Sequence, residues 1–356
     1  MKKHKLAYLR DYMRDNKITA TLIFDEVNQR YFSSFKFSDG MLLITENHAY
    51  LITDFRYFED AKKNVSDDFE VVMPSSRFDF IKEILGDAVG ATIAFESSLQ
   101  YATVMQLKEK FSGCRLFAIG SLFEDIRAVK TSDELMKISI AQQITDSAFS
   151  HILSYIKEGV TESEIALELD YFMRKNGAEG MAFETIAVSG GASALPHGKP
   201  RNLPIERGFL TMDFGAKYDG YCSDMTRTVC IGKADERIKK IYNTVLSAQS
   251  AALGFIKSGV CGKEADRIAR DIIYGAGYEG RFGHSLGHGV GMYIHEKPNL
   301  SPMAKNVILT EGNVVTVEPG IYIEGDMGCR IEDMVAVTDD GIIDFTKSTK
   351  ELIEIY

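Results

Sequence analysis

The sequence predicts a protein of two domains, the first an α/β domain and the second built from two related halves. Three observations support this prediction. Helix and strand patterns alternate up to about residue 122, a helix start signal follows, and the rest of the chain contains an internal repeat. A chain of 356 residues is also longer than one ordinary domain. We expect the two domains to cover residues 1–124 and 125–356.

The amino-terminal segment contains short elements of both kinds. KLAYLRDYMRDN has the spacing of an amphipathic helix, and ITATLIFD is typical of a buried strand. MLLITENHAYLITD predicts a hairpin that turns at Glu46-Asn47. Two further strands, ATIAFE and RLFAIG, flank the helical pattern of YATVMQLKEKF. The segment has no cluster of residues with catalytic chemistry, so we expect the active groups in the second domain.

The second domain begins with a long helix and then repeats itself. Thr131 and Glu134 form a capping-box pattern, and an apolar stripe starts at Leu135. Residues 147–180 align without a gap on residues 247–280, with 12 identities in 34 positions. Each copy predicts two helices that are broken at IKxGV and closed at a glycine. We therefore expect two halves related by a pseudo-two-fold axis.

Each half supplies two acidic residues within otherwise apolar, strand-like segments. Asp213 and Asp224 belong to the first half, and Glu318 and Glu332 to the second, at offsets of 105 and 108 residues. An Asp-Gly turn at residues 219–220 would fold the two aspartates onto neighbouring strands. Because a buried carboxylate without a partner is costly, four that converge require cations. Two divalent metal ions would balance the four charges.

Salt bridges are the alternative explanation for these acidic residues. Arg330 is close in sequence to Glu332 and is an obvious candidate partner for it. It could instead contact a substrate, or hold a metal ligand in place from behind.

Four of the seven histidines lie in the same segments, namely His197, His284, His288 and His295. His284 and His288 are four residues apart, as in zinc-protease helices, but Ser285 follows His284 and there is no HExxH motif. We expect His288 to join the four carboxylates as a metal ligand. A site rich in oxygen ligands with one imidazole favours Mn²⁺, for which Co²⁺, Fe²⁺ or Zn²⁺ could substitute.

Composition argues against several other classes of function. A net charge of −10, without a basic tract, disfavours nucleic acid and anionic membranes as partners. No apolar run approaches the ~18 residues of a membrane span. The charged start is not followed by the apolar core of a signal peptide. The five cysteines are scattered without a CxxC spacing, which favours free thiols and a cytoplasmic location.

Five motifs follow one another in the second domain: FETIAVSGGASALPHGKP, MDFGAKYDGYCSDMTRT, FGHSLGHGVGMYIHEKP, EGNVVTVEPGIYI and RIEDMVAVT. In this order they resemble the pita-bread metallopeptidases, a family that includes methionine aminopeptidase, Xaa-Pro aminopeptidase, prolidase and the metal-free creatinase. The resemblance implies an α+β pita-bread catalytic domain with an internal pseudo-two-fold duplication. The large leading domain makes the chain most similar to the Xaa-Pro branch.

The resemblance implies a metal role for five of these residues. Asp213 would bind one metal through both oxygens, and Asp224 and Glu332 would bridge two metals. His288 and Glu318 would hold the other metal, and Glu318 would also act as general base and proton shuttle.

The resemblance implies pocket roles for the remaining residues. His197, His284 and His295 would line the substrate pocket and steady the tetrahedral intermediate, and Arg330 would lie beside the metals. Lys297-Pro298-Asn299 lacks the arginine that some prolidases have near this point. We therefore expect an Xaa-Pro aminopeptidase that cleaves peptides with proline at the second position, with an Xaa-Pro dipeptidase as the alternative.

Two further alternatives are disfavoured. Creatinase and non-catalytic scaffolds of this family have lost metal ligands, whereas all five are present here. The family also implies that the protein forms a homodimer.

Overall fold

The computed structural model describes residues 5–86 and 89–356. The chain divides into two compact units, Met1–Ile126 and Arg127–Tyr356. The division lies two residues after the predicted boundary between residues 124 and 125. None of the helices in the described ranges has an apolar stretch long enough to cross a membrane.

The first unit is an α/β domain around one six-stranded sheet. Its strands are β1 (Ala20–Ile23), β2 (Gly40–Thr45), β3 (Ala49–Thr53), β4 (Glu70–Val72), β5 (Thr92–Glu96) and β6 (Arg115–Ile119). Its helices are α1 (Lys5–Asp15), α2 (Glu26–Ser33), α3 (Phe55–Asn64), α4 (Arg77–Leu85), α5 (Tyr101–Lys110) and α6 (Leu122–Ala128), which runs across the division. The strand order is β4-β3-β2-β1-β5-β6.

The pattern of apolar residues explains this sheet. The predicted hairpin is confirmed, because β2 pairs antiparallel with β3 and turns at residues 46–48. Strands β1, β5 and β6 run parallel, as expected when helices connect them. All residues of β1 and β5 are buried, which agrees with their continuous apolar runs.

The second unit contains four long helices and several small sheets. The helices are α7 (Ser132–Tyr155), α8 (Glu162–Lys175), α9 (Glu236–Phe255) and α10 (Gly262–Gly275). The strands of the first half are β7 (Gly180–Met181), β8 (Ile186–Ser189), β9 (Gly208–Phe214), β10 (Ala216–Tyr218), β11 (Tyr221–Cys222) and β12 (Met225–Ile231). The later strands are β13 (Gly287–Gly289), β14 (Glu296–Leu300), β15 (Val314–Val317), β16 (Gly320–Ile323), β17 (Met327–Arg330), β18 (Asp333–Val337), β19 (Ile342–Asp344) and β20 (Glu354–Ile355).

The predicted duplication is present in the fold. Helices α8 and α10 each have 14 residues and begin 100 positions apart. The main sheets are β20-β12-β9-β8 and β14-β13-β15-β18-β19, so each half contributes three antiparallel central strands in the same order. The bridges Thr161↔Pro204 and Cys261↔Ile308 also lie at matching points of the two halves.

Each half buries its helix pair against its own sheet. In the first half, Ile165 and Leu169 of α8 pack in one cluster with Met212 of β9. In the second half, Val245 of α9 packs with Val315 of β15. Burial of each such side chain contributes roughly 1.5–3 kcal/mol. The capping boxes at Thr131 and Thr161 fix where α7 and α8 begin, and the first of these was predicted.

Two glycines allow the central strands to approach each other closely. A Cβ on Gly215 would lie 2.0 Å from the carbonyl oxygen of Ser223, and a Cβ on Gly287 would lie 2.0 Å from that of Thr316. Neither distance is sterically possible, so any larger residue must push the strands apart. These crossings lie beside the predicted metal-binding residues.

We predict opposite effects on stability for two Gly→Ala substitutions. Gly215→Ala should lower the free energy of unfolding by about 1–3 kcal/mol, since the added methyl group overpacks a buried crossing. Gly275→Ala adds a methyl group at a helical position with nothing within 4 Å, and should raise it by up to ~1 kcal/mol. Thermal unfolding followed by circular dichroism measures both. A Gly215→Ala protein as stable as wild type would contradict the steric argument.

Candidate metal centre

One cavity of about 550 Å³ in the second unit contains all the predicted site residues in its wall. They are Asp213, Asp224, His288, Glu318 and Glu332, proposed as metal ligands, and His197, His284, His295 and Arg330, proposed as pocket residues. Residues that are far apart in the sequence therefore meet at one place.

Strand pairing explains why the carboxylates converge. Asp213 lies opposite Thr226 in the β9–β12 pair, and Asp224 immediately precedes β12. The predicted turn between them is confirmed: β10 pairs with β11, and Asp219 and Gly220 have positive φ angles of 43° and 86°.

In the second half, Val317 of β15 pairs with Asp333 of β18, so the neighbouring Glu318 and Glu332 face each other where the ladder ends. The two halves thus each deliver a pair of acidic residues to the same cavity.

The ligand atoms lie close enough to share cations. The Nε2 atom of His288 is 3.5 Å from Oδ2 of Asp224 and 3.4 Å from Oε1 of Glu318. Ligand atoms of Asp224, His288 and Glu332 all lie within 4.8 Å of one another. A single ion could therefore contact groups from both halves.

Hydroxyl groups orient these ligands. Thr226 Oγ1 donates to Oε2 of Glu332 at 2.7 Å, and Thr316 Oγ1 donates to Oε1 of Glu318 at 3.2 Å. The Nδ1 atom of His288 lies 3.2 Å from the carbonyl oxygen of Gly289, which can only accept a hydrogen bond. Nδ1 therefore carries the proton, and the lone pair of Nε2 points to the carboxylates.

Burial and mutual repulsion shift the pKa values of these groups. Burial, followed by the charges of the neighbouring carboxylates, raises the pKa values of Asp224 and Glu332 well above their usual range. Burial, together with Asp213 and against the opposing effect of Arg330, raises the pKa of Glu318 to about 8. Burial and the nearby His295 lower the pKa of His288 to about 4. Without cations, the centre favours protonated carboxyl groups and a neutral imidazole.

The residues fit divalent metal ions. Oδ1 of Asp213 is buried and has no hydrogen-bond partner among the described residues. Because buried polar atoms are normally paired, this oxygen is available to coordinate a cation. The donor set of four carboxylates and one imidazole suits a hard or borderline cation. Bound cations would also displace the protons that Asp224, Glu318 and Glu332 hold because of their raised pKa values.

The position of Arg330 distinguishes between the alternatives for this residue. Its side chain is 3% exposed, and its ion pair is with Asp213 Oδ2 at 2.6 Å. The carboxylate of Glu332, the candidate partner, instead accepts a hydrogen bond from Thr226. The contact with Asp213 fits the other alternative, in which Arg330 holds a proposed metal ligand in place. Nε of Arg330 donates to Oγ1 of the same threonine at 2.9 Å, and this contact directs the guanidinium group across the strands to Asp213.

His284 lies in a chain of hydrogen bonds that the sequence did not reveal. Arg330 donates to the hydroxyl oxygen of Tyr322 at 2.8 Å, and this hydroxyl lies 2.9 Å from Nε2 of His284. Nδ1 of His284 lies 2.8 Å from the carbonyl oxygen of Ser285 and must donate to it. The Tyr322 hydroxyl therefore donates to Nε2, and both nitrogens of His284 are engaged. Burial, with Arg330 second, lowers the pKa of His284 to about 3, so its imidazole is neutral.

The other two pocket histidines are less constrained. The ring of His295 lies with its centroid 4.2 Å from that of His288, and burial lowers the pKa of His295. His197 is exposed at the cavity wall. Both can therefore face a bound substrate.

Sequence reasoning missed the role of Tyr322 and of Arg227. Tyr322 alternates with Ile321 and Ile323 in β16, and this period of two was a signal that it faces away from the core. Arg227 is 1% exposed and donates to the backbone carbonyl of Glu332 at 2.5 Å. It also forms an ion pair with Asp333 at 2.7 Å, and so fixes the strand that carries Glu332.

A buried cluster of carboxylates with one imidazole, beside a cavity lined by histidines, defines a metal-dependent hydrolase. The chain belongs to metallopeptidase family M24, whose sequence pattern matches residues 136–339. The pattern of the creatinase/prolidase N-terminal domain matches residues 5–129. The predicted family is therefore confirmed.

Similar proteins extend over the whole chain. The Xaa-Pro dipeptidase of Pyrococcus furiosus is 40% identical over 353 residues, which cover 99% of this chain and 100% of the relative. The structure of an Xaa-Pro dipeptidase from Bacillus anthracis has a TM-score of 0.94 at 42% identity, with 99% of each chain covered. That of an X-Pro aminopeptidase from Thermotoga maritima has a TM-score of 0.90 at 39% identity, covering 95% and 98%. The predicted two-domain pita-bread fold is confirmed.

We predict that Glu332→Gln stabilises the metal-free protein. The pKa of Glu332 is higher in the folded than in the unfolded protein. The free energy of unfolding therefore falls as the pH rises above the pKa that Glu332 has in the unfolded chain. In EDTA, the melting temperature of the variant should exceed that of wild type, and by more at pH 8 than at pH 6.

Mn²⁺ should raise the melting temperature of wild type, and the same variant should lose most of that rise, since an amide is a poor metal ligand. Glu311→Gln is the matched control, because Glu311 is exposed and does not line the cavity. A variant that is less stable than wild type in EDTA at both pH values would contradict the repulsion argument.

Proposed function

We propose that this protein is a dinuclear metallopeptidase that hydrolyses the bond between an amino-terminal residue and proline. The observation that carries the proposal is the convergence of two acidic residues from each half on His288, with one oxygen of Asp213 left unpartnered. The names of relatives at about 40% identity support Xaa-Pro bonds as the substrate class.

The five proposed metal-binding residues have separate tasks. Asp213 would bind one ion, and of its two oxygens Oδ1 has no partner within the described ranges while Oδ2 pairs with Arg330. His288 and Glu318 would hold the other ion. Asp224 from the first half and Glu332 from the second are proposed to bind both ions. Mn²⁺ is the proposed metal, because oxygen ligands predominate.

The surrounding residues are proposed to bind substrate and move protons. Two bound divalent ions would supply Lewis acidity and a nucleophilic water. Glu318 is proposed to act as the general base that would take a proton from such a water and pass it to the leaving nitrogen of proline. Since both nitrogens of His284 are engaged, His197 and His295 are the groups free to donate to the developing oxyanion. His284 instead orients the Tyr322–Arg330 chain beside Asp213.

We expect two divalent ions per chain in active protein, measured by metal analysis. Asp224→Ala and Glu332→Ala should each reduce kcat more than tenfold, a loss above ~1.4 kcal/mol in transition-state stabilisation, while circular dichroism shows a folded protein. Glu311→Ala, which changes an exposed residue, serves as control. Active protein without metal, or a variant with more than a tenth of wild-type turnover, would exclude the bridging roles.

The length of the substrate depends on whether the cavity offers a cation to a substrate carboxylate. Asn299, which is neutral, lines the cavity, and Lys297 does not. The guanidinium group of Arg330 is committed to Asp213, Thr226 and Tyr322. An unpaired carboxylate in this wall would be costly to desolvate. These observations favour an aminopeptidase that accepts longer peptides.

One observation favours Xaa-Pro dipeptidase as the second candidate. Lys199 lines the same cavity, is exposed, and makes no ion pair with the residues that the structure describes. It is therefore available to a dipeptide carboxylate. Because the group is exposed, the attraction is screened by solvent and is expected to be modest.

A digest of Xaa-Pro dipeptides beside Xaa-Pro-Yaa tripeptides tests these candidates. We expect tripeptides to be cleaved at least as well as dipeptides. Lys199→Met should raise KM severalfold for dipeptides and leave KM for tripeptides unchanged. Glu184→Gln, at the same cavity wall, removes a negative charge and should not raise KM for dipeptides. Strong turnover of dipeptides with none of tripeptides would identify a dipeptidase instead.

A further inference from the structure

A second buried group of charges lies next to the cavity and has no place in the proposed mechanism. Glu296 follows His295, and its side chain is 2% exposed. One oxygen lies 3.1 Å from Nε of Arg127, and the other lies 3.1 Å from Nζ of Lys130. The side chains of these two cations are 5% and 1% exposed. One carboxylate therefore lies between two buried cations. Because burying three charged groups is costly in desolvation, such an arrangement suggests a specific role.

The segment that carries the cations is itself fixed. Val129 forms a bridge with Asn313, and the amide of Lys130 donates to the carbonyl oxygen of Gly312 at 2.7 Å. The side chain of Asn313 donates to the carbonyl oxygen of Ala128 at 2.9 Å. These contacts join residues 128–130 to the strand β15 that leads to Glu318.

The loop that carries Glu296 is shaped to admit its carboxylate. A Cβ on Gly291 would lie 1.8 Å from Oε1 of Glu296, so only glycine leaves this space. The guanidinium group of Arg127 also lies 5.2 Å from the ring centroid of Tyr293 in the same loop. On the other side of the loop, the amide of Cys222 donates a hydrogen bond of 2.8 Å to the carbonyl oxygen of Gly291.

We infer that Arg127, Lys130 and Glu296 form a charged clamp that positions His295 in the cavity. The clamp acts through the chain: it holds Glu296 on one side of β14, and the adjacent His295 is thereby held against His288 on the cavity side. The three residues are positioning residues, since none lines the cavity. Buried charges suit this task, because a carboxylate paired with two fixed cations has one favourable position. An apolar side chain, which makes no directional contacts, could pack in several.

The experiment is a double-mutant cycle on the metal-loaded full chain with an Xaa-Pro-Yaa substrate. Lys130→Met should lower kcat at least tenfold, with metal content unchanged and KM changed less than threefold. In a His295→Ala background the same substitution should lower kcat less than twofold, because the group that it positions is absent. Arg127→Lys, which keeps the charge, should stay within threefold of wild type.

Two further variants separate positioning from loss of structure. Gly291→Ala keeps all three charges but displaces Glu296, and should reproduce both the loss of kcat and its disappearance in the His295→Ala background. Val245→Ala removes core volume on α9 away from the cavity. It should lower the melting temperature, while kcat measured below that melting temperature stays unchanged. If Lys130→Met does not fold, Gly291→Ala and Glu296→Gln complete the same cycle.

The inference rests on the proposed function, and the two can fail separately. A wild-type protein that cleaves no Xaa-Pro peptide would reject the proposed function. The clamp would be overturned by either of two results in a wild-type protein that does cleave Xaa-Pro peptides. One is that the clamp variants leave kcat unchanged. The other is that they lower kcat by the same factor in the His295→Ala background as in wild type.

Discussion

Repulsion among four buried carboxylates is the constraint on which the rest of this structure depends. Asp224, Glu318 and Glu332 lie beside Asp213, and burial raises the pKa values of these three carboxyl groups. The fold nevertheless brings them together, through strand crossings so close that Gly215 and Gly287 have no room for a side chain. A protein folds into such an arrangement when ligand binding compensates for the cost, as metals do.

The duplication supplies a frame, but the neutralising contacts cross between its halves. Arg330 of the second half pairs with Asp213 of the first, and Thr226 of the first half donates to Glu332 of the second. Arg227 of the first half binds both the backbone of Glu332 and the side chain of Asp333. Asp213, Glu332 and Asp333 therefore each take a partner from the other half. The cavity lies where the two halves exchange these partners.

The sequence was informative where the chemistry is local or periodic, and silent where it depends on distant partners. The duplication, the turn at Asp219-Gly220, the capping box at Thr131 and the five proposed metal-binding residues follow from spacing and residue type, whereas the pocket residues followed from the family resemblance. The partner of Arg330 was not predicted, because Asp213 lies 117 positions away in the other half. The clamp was equally invisible, since Lys130 and Glu296 are 166 positions apart and each is unremarkable alone. Packing, rather than pattern, determines such pairs.

The charges around the cavity distinguish its carboxylates from four other buried acids of the second unit. Glu162, Asp266, Glu296 and Asp333 each have an arginine or lysine within about 3 Å. Among the described residues, the four carboxylates proposed as metal ligands share one ion-paired guanidinium group, that of Arg330, which leaves an expected charge of −3 when all four are ionised. Two divalent cations would change this to +1. Such a small positive excess would favour the negative charge that develops on a substrate carbonyl oxygen, most strongly in the transition state. With two divalent ions bound, as proposed, Arg330 would therefore have a second consequence besides holding Asp213: it would shift the centre from neutral to cationic, which would favour the negative charge that develops in amide hydrolysis.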